Sequence, residues 1–140
     1  MNTEEKVKLL SFLEAKFKLN DNDSDLYNNL ACLYFEMGKK QQSLNLFEEG
    51  SKKFPYLDLL QVNRINTLST SSTIHETGKA VKKILTDKYI SSIDSIKKIL
   101  TYYFKAYSKQ DVILENNKSL YFEIIELFSP LFPIESDLKL

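Results

Sequence analysis

Apolar residues along this chain recur three and four positions apart, the spacing that lines one face of a helix. Leu9, Leu10, Leu13 and Phe17 predict a first helix over about 4–19, with Thr3 as its cap and Glu4 and Glu5 at the positive end of its dipole. The polar run NDNDS (20–24) breaks the pattern, and Asp23 or Ser24 can cap a second helix over about 25–37. Gly38 sits where that helix needs a left-handed residue just past its end. A third helix, about 40–53, is stopped by Pro55. A fourth covers about 57–68, STSST (69–73) reads as a flexible loop, and a fifth occupies about 75–86. Ser91 or Ser92 caps a sixth, whose Ile93, Ile96, Ile99, Leu100, Tyr103, Phe104 and Tyr107 form a broad apolar face. The last helix starts between 111 and 118 and ends near Phe128, closed by Pro130 and Pro133, with a loose tail over 134–140. Strand-like alternation never persists, so the fold class is all-α with about seven helices.

Within this pattern, residues 27–55 order large and small side chains in a particular way. Tyr27, Leu30, Tyr34 and Phe47 are large; Ala31, Ser43 and Gly50 are small. Two antiparallel helices approach closely only where side chains are small, with large neighbours interlocking on either side. A short turn at Gly38, Lys39 and Lys40 makes the two helices antiparallel neighbours. Pro55 then redirects the chain so that a further helix can pack alongside.

These residues, over about 24–57, resemble one tetratricopeptide repeat, a helix–turn–helix unit of about 34 residues. Tyr27 stands in the usual Trp place, Leu30 in the Leu, Ala31 in the small and Tyr34 in the Tyr place. Ser43 replaces Ala, Gly50 a second Ala, and Phe47 and Pro55 match. Such units cannot bury their own apolar face and come stacked. The resemblance therefore implies a short right-handed helical solenoid over residues 1–133. A degenerate repeat is expected over 58–90, with Arg64 where Leu belongs and about three residues inserted at STSST before Ala80. A divergent helix pair over 91–129 would cap the stack, or form a small bundle on its end. The first helix would be an unpaired flank.

The resemblance also implies a site. The first helix of each unit lines a concave groove that holds an extended peptide, which places Asp25, Asn28, Asn29, Cys32 and Phe35 on the inner surface, followed by Leu59, Val62, Asn63 and Asn66. Asn29 and Asn63 are 34 apart and would align as a ladder. An amide both donates and accepts, so it can pair with a peptide backbone of any sequence, as some tetratricopeptide proteins do. Phe35 reads either as an anchor or as core against the first helix. Chaperone-associated relatives grip a terminal carboxylate with Lys and Arg on a later helix; Leu59 and Asn63 stand there instead, so no such clamp is expected.

Composition narrows the remaining classes. With 140 residues the chain suits one domain, and its 43% hydrophobic content is not that of a disordered chain. Three Gly and three Pro are too few for an all-β fold rich in turns. The 19 basic and 19 acidic residues cancel, which gives no overall footprint for nucleic acid or anionic membrane. Residues 61–100 carry seven basic and three acidic groups, and residues 21–60 four and seven. The chain is thus dipolar, and Lys79, Lys82, Lys83 and Lys88 read as a solvated face before they read as an RNA patch. No apolar run suits a secretory leader or a membrane span, and a lone Cys32 suits a reduced, cytoplasmic setting. Cys32 reads as an inert buried thiol, His75 as exposed or capping, and Glu48–Glu49 as a solvated face. No metal cluster, phosphate loop or cofactor motif appears. The expectation is a non-enzymatic adaptor, scaffold or small chaperone binding another protein. A structural subunit of a larger assembly and a nucleic-acid-binding repeat are the alternatives, and oligomeric state is left open.

Overall fold

Four of the seven helices begin where a side chain satisfies one of the first free N–H groups. The computed structural model describes residues 1–131, so the expected loose tail over 134–140 and the stop at Pro133 lie outside the described residues. The order is α1 (Thr3–Leu19), α2 (Ser24–Glu36), α3 (Lys40–Lys53), α4 (Asp58–Ser71), α5 (Ile74–Asp87), α6 (Ile93–Ser108) and α7 (Glu115–Phe128), then a short 3-10 turn (Ser129–Leu131). No strand occurs among the described residues, and the fold is all-α.

Caps account for most shifts from the predicted boundaries. The first helix is capped by Asn2, not Thr3: the Asn2 amide oxygen accepts from Glu5 N–H at 2.8 Å, and the Glu5 carboxylate accepts from Asn2 N–H. Asp23 caps α2, Thr73 caps α5 and Ser92 caps α6. At the end of α2, Gly38 has φ 78°, and Gly38 and Lys39 donate to Phe35 O and Tyr34 O. That double closure needs a left-handed residue, which glycine adopts without strain.

The STSST stretch is not the expected loop. Helix α4 runs through Ser71. The Ser69 hydroxyl donates to Asn66 O, and the Thr70 hydroxyl lies within reach of Asn66 O and Thr67 O. Hydroxyls that bond back to the preceding turn let a Ser/Thr run stay helical. There is also no insertion before α5. Helices α2 and α4 begin at 24 and 58, and α3 and α5 at 40 and 74, so both helices advance by 34. The extra length enters later: α6 begins 35 after α4, and α7 begins 41 after α5.

Packing follows chain order. Helix α1 lies on α2 alone; α2 packs on α3 and α4; α4 on α5 and α6; α5 on α6 and α7. Apolar Leu10 and Leu13 meet Leu30, Leu33 and Tyr34 between α1 and α2. Tyr27, Ala31, Phe47 and Leu60 join α2, α3 and α4. A larger cluster runs from Val62 to Ile124 through α4–α7.

Candidate functional site

The row of first helices is built by the same heptad-like places in each unit. Tyr27, Ala31 and Tyr34 on α2 are buried, as are Gln61, Ile65 and Leu68 on α4, and Ile96, Leu100 and Tyr103 on α6. With those faces turned to the core, the intervening residues occupy the opposite side. Asn28 and Asn63 are brought together there: Asn63 Nδ2 donates to Asn28 Oδ1 at 2.7 Å. Asn28 is itself 8% exposed. The expected Asn29–Asn63 alignment is therefore offset by one residue. Asn63, 34 residues on from Asn29, reaches back to Asn28, because its helix stacks against the neighbouring turn.

Asn29 stays exposed and lines a cavity of ≈ 280 Å³ between α1 and α2, together with Leu9, Leu13, Cys32 and Glu36. The Cys32 thiol lies 4.0 Å from Asn28 Oδ1, and burial, with Glu36 adding to it, pushes its pKa up. A thiol held protonated is a poor nucleophile. Asp25 is exposed at the start of α2, and Phe35 is half-buried. On α4, Asn66 is half-buried, with its carbonyl accepting from the Ser69 and Thr70 hydroxyls. Leu59 is exposed and Val62 is buried in the core. The surface thus offers Asn29, the remaining capacity of Asn63, Asn66 and Leu59, while Asn28 and Val62 serve the packing between α2 and α4.

Arg64, which stands in a leucine place, is accommodated by a partner the sequence reading missed. Its Nε and Nη2 donate to the two Glu48 carboxylate oxygens at 2.7 and 3.2 Å. The pairing signal was present, since Glu48 lies on α3 beside Phe47, but it depends on which α3 face meets α4. Asp58 was missed as well: it accepts from the Ser91 and Ser92 N–H groups, and so ties the start of α4 to the start of α6.

Outside that row, the basic stretch is largely neutralised. Lys79 pairs with Glu76, Lys82 with Glu123 at 2.7 Å, and Lys83 with Asp87 at 2.8 Å. His75 is neither a cap nor fully exposed. Thr73 caps α5, and His75, the second residue of that helix, sits half-buried facing a cleft between α5 and α7, with its Nδ1 unpartnered. Among the described residues no cluster of His, Cys, Asp or Glu could hold a metal ion, and no helix is long and apolar enough to cross a membrane. No protein-family model matches the chain, and no curated protein matches it significantly.

Proposed function

We propose that the chain is a tetratricopeptide-like module that binds a segment of another protein along the row of α2, α4 and α6, without catalysing a reaction. One observation carries this reading: first helices that start at 24, 58 and 93 and pack on each other in order. Equivalent side chains then recur along one surface, about one helix diameter apart, which suits an extended chain. Asn29, Asn63 and Asn66 supply amides for a peptide backbone, and Leu59 an apolar contact. The neutralised lysines favour this over a nucleic-acid surface.

Selection from a random peptide library, followed by titration of the recovered peptides, tests it. Binders should lose about tenfold or more in affinity to an Asn29→Ala/Asn66→Ala double variant whose helical circular dichroism is unchanged. Recovery of no binder, or equal binding to the variant, would remove the groove reading. The structural-subunit alternative has its own support in exposed Phe12 on α1 and Phe122 on α7, the two end helices. If those faces are interfaces, the purified chain should self-associate, or join an assembly, through α1 or α7 and not through Asn29.

A further inference from the structure

On the far side of α4 from the proposed groove, a second cavity of ≈ 330 Å³ opens between α3, α4 and α5. Gln61 and Asn63 are two residues apart, and so about 200° apart round the helix. Two side chains that line this cavity, Ser51 and Gln61, are 8% and 1% exposed, and in each an oxygen has no partner. For Gln61 the orientation is fixed: its Nε2 donates to Pro55 O at 2.9 Å, which leaves Oε1 able only to accept. The Ser51 hydroxyl can donate or accept. A buried polar atom without a partner is costly, and such atoms are few in folded chains.

The rest of the lining is unequal in charge. Arg64 is paired with Glu48 and Lys83 with Asp87, which leaves Lys52 and the outer edge of the Arg64 guanidinium for an anion. Glu48 holds the Arg64 guanidinium through Nε and Nη2 and leaves Nη1 free to donate. Ile84 and the half-buried Tyr89 supply apolar wall. An occupant suited to this lining donates to Gln61 Oε1, offers an anionic group to Arg64 Nη1 and Lys52, and bears some hydrocarbon. We infer that this cavity binds a small organic carboxylate with an N–H or O–H donor on the carbon next to the carboxylate, such as an N-acyl or 2-hydroxy acid. Its donor meets Gln61 Oε1, the Ser51 hydroxyl and Arg64 hold its carboxylate, and its side group lies on Ile84 and Tyr89.

Three probes separate the requirements: N-acetyl-leucine, 4-methylpentanoate (no N–H) and N-acetyl-leucinamide (no charge). Amide resonances of Ser51 and Gln61, with the Gln61 side-chain amide, report binding by NMR. N-acetyl-leucine should shift them with a dissociation constant of about 1 mM or tighter, given its size. Each control should bind about tenfold or more weakly, because 4-methylpentanoate leaves Gln61 Oε1 unpaired and the amide offers no charge to Arg64 and Lys52. A short peptide ending in leucine carries the same atoms; its binding in place of the free compound would identify a chain end as the source. Ser51→Ala should weaken N-acetyl-leucine about tenfold while the melting temperature holds or rises, since the hydroxyl has no partner in the fold. Equal shifts with all three probes, no shift at 10 mM (~ten times the expected constant), or full affinity in Ser51→Ala would each overturn the assignment and leave ordered water as the occupant. The groove test is independent, because Asn29 and Asn66 do not line this cavity.

Discussion

Helices α2 and α3 lie backbone to backbone, whereas α6 and α7, the corresponding pair two units on, nowhere bring Cα atoms within 8 Å of each other. The difference lies in side-chain size at equivalent places. Between α2 and α3 the contacts are Ala31, Ser43 and Gly50. The Ser43 hydroxyl donates to Ala31 O at 2.7 Å, and a Cβ built on Gly50 would stand 3.2 Å from Tyr27. In the next unit, α4 and α5, those places hold Ile65, Thr77 and Ile84, still in contact but with more bulk. On α6 the place is Leu100, and the space towards α7 is filled by rings. Tyr107 and Tyr121 stack at 4.2 Å between centroids, and Tyr103, Phe104 and Phe128 surround them. Helix α7 takes its close contact from α5 instead, over Gly78, where a Cβ would meet Leu120 Cδ2 at 2.6 Å. One topology is therefore held in two ways: by backbone proximity at the start and by an aromatic wedge at the end.

If the wedge supports the end of the stack, Tyr103→Ala should have the largest effect. Tyr103 is 1% exposed and touches three rings as well as the Gly78 site. Its loss should cost about 3–5 kcal/mol in urea unfolding, as for other buried aromatic truncations. A cost below about 1 kcal/mol would mean that α6 and α7 are held by something other than the rings. At the other pair the sensitivity should reverse, because adding volume is what harms it. Gly50→Val puts two methyl groups against Tyr27 Cβ and Cγ, which sit too near the backbone to swing aside. About 1–3 kcal/mol of destabilisation is expected, read by the same unfolding curve.

The first of these arrangements was legible in the sequence and the second was not. Small residues at 31, 43 and 50 announce close approach because only close approach requires them, and Lys40–Lys53 appears with its predicted bounds. Aromatics at 103, 104, 107, 121 and 128 announce only burial. Which helix they turn towards depends on the neighbour, and here Gly78, which no motif marks in the sequence, selects α5 as the partner of α7. For the candidate groove, spacing located the helices but not the register between them. A shift of one residue moves the amide contact from Asn29 to Asn28. Pairings such as Arg64–Glu48 and Asp58–Ser92 depend on that register, so no local pattern marks them.

The two regions also end their helices differently. After α2 the left-handed residue is Gly38; after α5 it is Lys88, with φ 56°, and Tyr89 N–H donates to Ile84 O. A side chain in that conformation is strained, and Lys88 is exposed, so its replacement disturbs no core contact. Lys88→Gly should raise stability by about 1 kcal/mol, less the entropy that glycine adds to the unfolded chain. A melting temperature that falls would show that the lysine makes a compensating contact.

The smallest effect is a titration that reads both regions at once. Tyr34, between α1 and α2, donates its phenol proton to Glu14 at 2.6 Å, and burial followed by that carboxylate pushes its pKa up to about 12. Tyr103, in the wedge, is raised by burial and by the neighbouring Tyr107 and Tyr121. Folding thus favours the neutral phenol in both. Their contribution is complete below the ordinary tyrosine value of about 10 and is lost as pH rises through the folded values. Absorbance at alkaline pH should therefore show two phenols ionising above the ordinary tyrosine value. Tyr34→Phe should remove one late component and lower stability by about 1 kcal/mol at neutral pH, with a smaller difference from the parent above the Tyr34 transition. A single late component in the parent, unchanged in Tyr34→Phe, would mean that α1 leaves α2 while Tyr103 and the helices round it stay packed, and that the flanking contact is the weaker end of the row.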